Sequence, residues 1–307
     1  MTYSKLNVEA IREKRHHDYI DENRLVARII SAFEAGVDVE IVGVHATGKT
    51  EAVLEACAQT NSNLWAYTCT AQTTYWDMVE EHTMKGGESV MSGKVITDWI
   101  MSKPTKENPS VLMIDELPKA YQTVMGFLHE LTDERGSLYL SHSNQRLYRT
   151  PYHHVVITYN PMDKGNYVGF NLDPAFRDRF ATIRSEYLSR PKEERVLLQV
   201  YGIKIPIIPT ARADTKRELE NPAQFISNLT QFAQLVRSAY KEGKLSTTVS
   251  TRGLITAVKL VKDSTWGQNE AVNALIQKFT ENEIPLVSKM WSDSNIENSV
   301  RRRTTEA

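Results

Sequence analysis

A chain of 307 residues can bury a large core and form two domains, and a content of 41% hydrophobic and 24% charged residues is that of an ordinary globular protein. The net charge of −1 excludes a globally basic nucleic-acid binder, though not a local basic surface, and gives no pull toward anionic membranes. No apolar run reaches membrane-spanning length, segment 1–18 is polar without a signal-peptide core, and the 2 cysteines, Cys57 and Cys69, lack metal-ligand spacing, so buried free thiols in a reducing cytoplasm are expected.

Residues 1–24 form a charged lead-in with one helix expected over Val8–Arg15. Leu25, Val26, Ile29, Ile30 and Phe33 fall on one helical face, and Gly36 ends that helix. Val37 to Val42 then reads as a strand buried on both sides. It runs into Gly43, Val44, His45, Ala46, Thr47, Gly48, Lys49 and Thr50, with Glu51 opening a helix-forming stretch. Glycine, four residues, then Gly-Lys-Thr between a strand and a helix is a phosphate-binding pattern. Its glycines allow backbone angles that a Cβ obstructs, so that amides can turn inward around phosphate oxygens at a helix N-terminus. Lys49 is expected at the β- and γ-phosphates and the Thr50 hydroxyl on Mg²⁺. The alternative is a chance glycine-rich turn. The pattern implies that the chain binds a nucleoside triphosphate, with the lead-in either solvated or lying near its base.

A second strand is expected over Leu64–Thr70, a helix over Thr73–Thr83, a glycine-bearing loop over Lys85–Lys94 and a helix over Val95–Met101. The next strand, Val111 to Ile114, ends in Asp115 and Glu116. In a parallel sheet such an end lies beside the ligand, which suits Asp115 to Mg²⁺ and Glu116 to the base that orients or deprotonates an attacking water. The acids can also cap the helix that Pro118 opens, expected to run to Leu131 with Met125 as core filler. A hairpin is expected over Ser137–Arg149, and His153-His154 reads as entry to a strand ending at Tyr159 rather than as a metal pair. Asn160 follows, an amide able to bond water or the γ-phosphate, and Gly165–Gly169 is a loose segment. Asp173 to Phe180 is a short helix carrying Arg177 and Arg179, for which plain surface charge is the alternative reading on spacing alone, and a strand follows over Ala181–Tyr187.

Near Ser189 the alternation of strands and helices gives way to helices, which divides the chain into the lead-in 1–24, an α/β nucleotide-binding core 25–189, and a helical lid with a tail, 190–307. Helices are expected over Lys192–Tyr201, through Phe225–Ala239, through Leu254–Val261 and over Ala271–Phe279. Ile203–Pro209 is a linker, and Arg301-Arg302-Arg303 a frayed tail.

The phosphate loop, the Met113-Ile114-Asp115-Glu116 strand end, Thr158-Tyr159-Asn160-Pro161, the segment Leu172–Phe180 and Ser250-Thr251-Arg252, in that order, resemble the AAA+ ATPases of the branch with MoxR, CbbQ, the nitric-oxide-reductase chaperones and the small cobaltochelatase subunit. The likeness spans about residues 25 to 265. It implies a P-loop fold with a central parallel sheet flanked by helices, then a small all-helical lid. It also implies that Asn160 is sensor 1, that Arg179 is an arginine finger entering a neighbour's site with Arg177 as auxiliary, and that Arg252 is sensor 2. The family further implies ATP and Mg²⁺ as cofactors, a homo-oligomeric ring of six, and a chaperone-like motor acting on a client protein, sometimes with a von Willebrand factor A domain partner in metal insertion. In this sequence the loop holds Val44-His45-Ala46-Thr47 where relatives carry prolines and glycines, and the segment Gly86–Gly93 has no aromatic residue for threading a client. A nucleic-acid motor is the alternative; it needs basic residues on pore-facing loops, for which Lys85, Lys94, Arg146 and Arg149 are the candidates. A nucleotide-gated scaffold is disfavoured by an intact Glu116 and Asn160.

Overall fold

The computed structural model describes residues 4–13, 19–85, 88–120, 122–141, 143–161, 169–203 and 222–305. The chain divides into two compact units, Met1–Arg15 with Asp21–Glu186, and His16–Ile20 with Tyr187–Ala307. In chain order the first contains Ser4–Leu6 (β1), Val8–Glu13 (α1), Leu25–Glu34 (α2), Asp38–Gly43 (β2), Lys49–Gln59 (α3), Asn63–Thr68 (β3), Tyr75–Met78 (α4), Glu80–Lys85 (β4), Glu88–Gly93 (β5) and Val95–Ile100 (α5). It continues with Ser110–Asp115 (β6), Gln122–Thr132 (α6), Ser137–Leu140 (β7), Gln145–Tyr148 (β8), His153–Tyr159 (β9), Pro174–Arg177 (α7) and Phe180–Ser185 (β10).

The sheet has 6 strands in the order β1-β3-β6-β9-β2-β10. All neighbours run parallel except β1, which lies antiparallel on β3. Continuous apolar runs suit strands covered on both faces, and β2 and β9 are buried along their whole length. Register sets Asp115 beside Thr158, Val42 beside Tyr159 and Gly43 beside Ser185, so the carboxyl ends of β6, β9, β2 and β10 share one edge of the sheet. One face of β2 nevertheless carries two acids, Asp38 and Glu40, two residues apart on a pleated strand. Arg149 binds Asp38 through both terminal nitrogens at 2.6 and 2.7 Å, and the Val155 N–H donates to it at 2.8 Å. This pair ties the end of the β7–β8 hairpin to the sheet.

Several elements differ from their sequence expectations. The helix expected over Thr73–Thr83 stops after the one turn of α4, because the Val79 carbonyl accepts the Lys94 N–H at 2.9 Å instead of serving a further turn. The chain then pairs β4 with β5, Glu80 opposite Gly93, so the loop expected over Lys85–Lys94 is largely the second strand of a hairpin. Pro118 opens a 3₁₀ turn, Leu117–Lys119, and the helix proper starts only at Gln122, after Ala120 in an extended conformation. The lead-in adds β1 to the sheet, with Lys5 Nζ 5.2 Å above the Trp65 ring, and buries Ile11 completely. The loose Gly165–Gly169 and the linker Ile203–Pro209 lie, but for one end of each, outside the described residues.

The second unit is helical: Arg190–Tyr201 (α8), Pro222–Lys241 (α9), Thr251–Asp263 (α10), Gln268–Ile276 (α11) and Ile284–Thr305 (α12). The last was not expected, and its backbone stays helical through Arg301–Arg303, where a frayed tail was anticipated. Phe225, Phe232, Leu254, Val258 and Val272 lie in one buried cluster that holds these helices together. Inside it Glu193 is fully buried, which is tolerated because Arg237 meets both its oxygens at 2.8 and 2.9 Å and Thr251 Oγ1 donates to it at 2.6 Å. Removing one member of a buried pair strands the other, so Glu193→Ala is expected to lower stability by about 3–5 kcal/mol in a urea titration followed by circular dichroism, and Glu193→Ala with Arg237→Met by less.

Candidate functional site

The phosphate-loop segment begins where β2 and β10 end together. A Cβ built on Gly43 would lie 2.3 Å from the Ser185 carbonyl oxygen, so only glycine lets the two strand ends close up. Gly48 takes the left-handed conformation at φ 86° just before α3, and Ala46 does so at φ 55° despite its side chain. The loop is braced internally by Thr47 Oγ1 donating to the Val44 carbonyl at 2.9 Å, and from outside by Ser185 Oγ, 3.1 Å from the Thr47 carbonyl oxygen. Lys49, in the first turn of α3, is buried at 8% exposure and directs its ammonium at Gly43 O (2.7 Å), Val44 O (3.1 Å) and Asn160 Oδ1 (2.9 Å).

Asn160 has a second contact, its Nδ2 donating to Glu116 Oε1 at 3.0 Å. An ammonium only donates and a carboxylate only accepts, so the amide orientation is set by chemistry. Glu116 leaves the line of β6 in a left-handed conformation, φ 57°, which turns its side chain out of the strand, while its N–H remains on the Thr158 carbonyl at 2.7 Å. Lys119 Nζ lies 3.6 Å from its other oxygen. Asp115, at the end of β6, accepts the Thr158 hydroxyl. Burial pushes its carboxyl above the usual range and Glu116 adds to that, while the Thr158 hydroxyl and the Lys49 charge pull it down. A cation beside Asp115 relieves this.

Among the described residues no group of three or more His, Cys, Asp or Glu side chains could hold a metal by itself. Mg²⁺ takes few protein ligands and shares phosphate oxygens, and Thr50 with Asp115 fits that pattern. His153 and His154 are both buried in β9. His153 Nε2 donates to the Trp99 carbonyl at 3.1 Å and the His154 ring stacks on Phe33 at 4.5 Å, so both act as core side chains. Burial lowers each to about 4. The thiols of Cys57 and Cys69 are both pushed up to about 12, mainly by burial.

The arginines are less gathered. On α7 the Arg177 guanidinium lies against Glu40, with Nε 3.1 Å from both oxygens and Nη2 2.5 Å from Oε1, and Tyr159 Oη donates to the same Oε1 at 2.7 Å. Arg179 Nη1 donates to His129 Nδ1 at 2.7 Å and to the Ala175 carbonyl at 2.9 Å. His129 is therefore a neutral acceptor at Nδ1, and burial and the Arg179 charge hold it below the ordinary imidazole range. Arg252 is exposed in the first turn of α10, whose N-cap Ser250 accepts the Gly253 N–H at 3.2 Å. The fold thus brings Gly43–Lys49, Asp115, Glu116 and Asn160 together, sets Arg177 at the end of α7 and Arg179 in the turn that follows it, and carries Arg252 on the second unit.

Ser185, Glu40 and His129 were not picked out from the sequence, and Thr158 only as part of the strand end Thr158-Tyr159-Asn160-Pro161, with no role of its own. Glu40 left a signal, being a charge amid an apolar run, which demands a partner. Of the basic candidates for nucleic acid, Lys94 is bonded to Glu81, Arg146 to Glu130 and Arg149 to Asp38. The side chain of Lys85 is outside the description.

Residues 38–180 match the AAA domain (dynein-related subfamily), and residues 216–286 match the CbbQ/NirQ/NorQ C-terminal domain. The chain is 24% identical over 185 residues to Protein NorQ of Paracoccus denitrificans (strain Pd 1222), covering 60% of this chain and 66% of NorQ. It is 26% identical over 232 residues to the denitrification regulatory protein NirQ of Pseudomonas aeruginosa, covering 76% and 79% of the two chains. With the aerobic cobaltochelatase subunit CobS of a Sinorhizobium species it shares 25% over 248 residues, 78% and 69% of the two. The match to NorQ thus spans just under two thirds of that relative.

Two outcomes test the geometry. Gly43→Ala is expected to weaken nucleotide binding at least about tenfold in a calorimetric titration, a loss of about 1.4 kcal/mol. For the histidines, the unfolded chain takes up protons near the ordinary value of about 6.5 whereas the folded chain resists until about 4, so stability falls as pH drops through that window. His154→Phe is expected to flatten the slope of stability against pH in that window by up to about 1.4 kcal/mol per pH unit, read from urea midpoints.

Proposed function

Because the chain belongs to the MoxR/CbbQ-like branch of the AAA+ ATPases, we propose that it hydrolyses ATP at the interfaces of a ring of its own copies and uses the movement to remodel or activate a partner protein. The observation that carries the reading is the Asn160 amide, which bridges the phosphate-loop lysine at 2.9 Å and Glu116 at 3.0 Å. One side chain thereby relates the group that holds the terminal phosphate to the group that takes a proton from water.

In this reading the segment Gly43–Glu51 holds the phosphates, with Lys49 exchanging its contacts to loop carbonyls for β- and γ-phosphate oxygens. Mg²⁺, when bound, supplies positive charge at those oxygens, and Thr50 and Asp115 would hold it. Asn160 orients the attacking water, and Glu116 accepts its proton. Arg179 acts on the site of the neighbouring copy, where an arginine supplied across an interface is worth on the order of 10³–10⁵ in rate. Arg252 is assigned to sensing the γ-phosphate.

The ring is assigned six copies. The finer part of the proposal is a partner with a von Willebrand factor A domain and metal insertion as the outcome, in keeping with relatives named as a regulator and as a cobaltochelatase subunit. Carboxylate partners on Lys94, Arg146 and Arg149 weigh against a nucleic-acid motor. No helix among the described residues is long and apolar enough to cross a membrane.

Lys49→Ala is expected to abolish ATP binding, whereas Glu116→Gln binds ATP, scarcely turns it over and accumulates the ring in size-exclusion chromatography with light scattering. Undiminished turnover in Glu116→Gln would remove that residue from its role. Arg179→Ala is expected to bind ATP without hydrolysing it, and mixing it with Lys49→Ala chains is expected to restore part of the activity.

A further inference from the structure

Glu40 lies three residues before Gly43, inside β2, and is completely buried. Two groups from distant parts of the first unit meet on it. Tyr159 Oη donates to Oε1 at 2.7 Å, and Arg177 places Nη2 2.5 Å from the same oxygen with Nε 3.1 Å from each oxygen. Tyr159 immediately precedes Asn160, whose amide touches Lys49 and Glu116. Arg177 ends the single turn of α7, and the Arg179 guanidinium hangs from the same turn through the Ala175 carbonyl at 2.9 Å. The carboxylate is thus the meeting point of the strand end that faces the phosphate site and the helical turn that aims Arg179.

We propose that Glu40, Tyr159 and Arg177 are positioning residues, through which the state of the nucleotide site sets the direction of the arginine that the same subunit offers to its neighbour. The inference rests on the reading of Asn160 and Arg179 given above. It assigns Arg177 inward, to holding α7, and not to contact with a neighbour's phosphate. Three features favour a coupling role over a merely stabilising ion pair. Arg177 alone could neutralise Glu40, yet a phenol is added, and it belongs to the residue next to Asn160. Both donors share Oε1, so a shift of Tyr159 changes the oxygen available to Arg177. The short α7 turn is fastened to β2 by this guanidinium, so a change at Glu40 passes to Ala175 and Arg179 without crossing a flexible segment.

The decisive variant is Tyr159→Phe, which keeps the ring and the Arg177–Glu40 pair while removing the phenol. In the full chain with Mg²⁺, it is expected to leave the Kd for ATP within about twofold and to lower kcat between about tenfold and a hundredfold, the scale of a catalytic group misplaced by about 1 Å. Two measurements separate positioning from structure. In amide hydrogen exchange, a non-hydrolysable ATP analogue is expected to alter protection of residues 174–180 in the unmodified chain. In Tyr159→Phe that response should be lost while protection of residues 43–51 still rises. An unaltered response in Tyr159→Phe, or none in the unmodified chain, overturns the proposal. Asp38→Asn, which weakens the other ion pair on the same face of β2, controls for lost stability; if it erases the response equally, the role is only structural and the proposal fails.

The second measurement mixes chains. A Lys49→Ala/Tyr159→Phe chain binds no nucleotide and contributes only its arginine to an Arg179→Ala neighbour, so any loss of restored activity relative to Lys49→Ala alone reports on arginine presentation. A loss of about fivefold or more supports the role of Tyr159 in positioning Arg179, and equal restoration counts against it. If Lys49→Ala and Arg179→Ala restore nothing at all, it is the interface reading that fails, and the exchange experiment still decides whether Glu40 couples the two ends.

Discussion

A carboxylate inside a sheet has to be answered by charge and hydrogen bonds from the same fold, and β2 contains two of them. Asp38 and Glu40 stand on one face of the strand that delivers the phosphate loop, and each is met by an arginine from elsewhere in the chain, Arg149 or Arg177. An ion left alone at either position carries a desolvation penalty of several kcal/mol, so the arrangement holds only while both arginines are in place. Arg149 closes the β7–β8 hairpin and Arg177 ends α7. The strand under the phosphate loop is therefore also the strand on which the β7–β8 hairpin and a solvent-facing helical turn are anchored.

The candidate phosphate site is assembled by strand ends. Parallel pairing sets Gly43, Asp115, Tyr159 and Ser185 along one edge, and the side chains that follow are drawn together by simple complementarity. Lys49 donates, Asn160 accepts and donates in turn, and Glu116 accepts. The glycine at the start of the loop serves the sheet as much as any ligand, since it is the Ser185 carbonyl that leaves no room for a side chain there.

The parts of this site that could be read from the sequence are those whose chemistry is local. Gly43 to Thr50 carries its meaning in spacing, and Asp115-Glu116 and Asn160 in their position at the ends of apolar runs. The parts that could not be read depend on partners far along the chain. Ser185 grips a loop residue across a sequence separation of 138, and Glu40 meets Arg177 across 137. Helical periodicity overran at Thr73–Thr83 because nothing in that stretch announces that the Val79 carbonyl is claimed by Lys94. Helix α12 escaped for the opposite reason: over Ile284–Thr305 its apolar residues are sparse and define no clear stripe.

Both native sulfhydryls sit in the interior, one at 0% exposure and the other at 1%, and Cys69 also shares its surroundings with Asp115 and Glu116. Burial disfavours in both the thiolate that alkylating reagents attack and keeps the reagent away from it. A single cysteine placed by mutagenesis on α7 or on the β7–β8 hairpin would then take a fluorophore or spin label on an otherwise unaltered chain, which makes these two elements accessible to spectroscopy without first building a cysteine-free background.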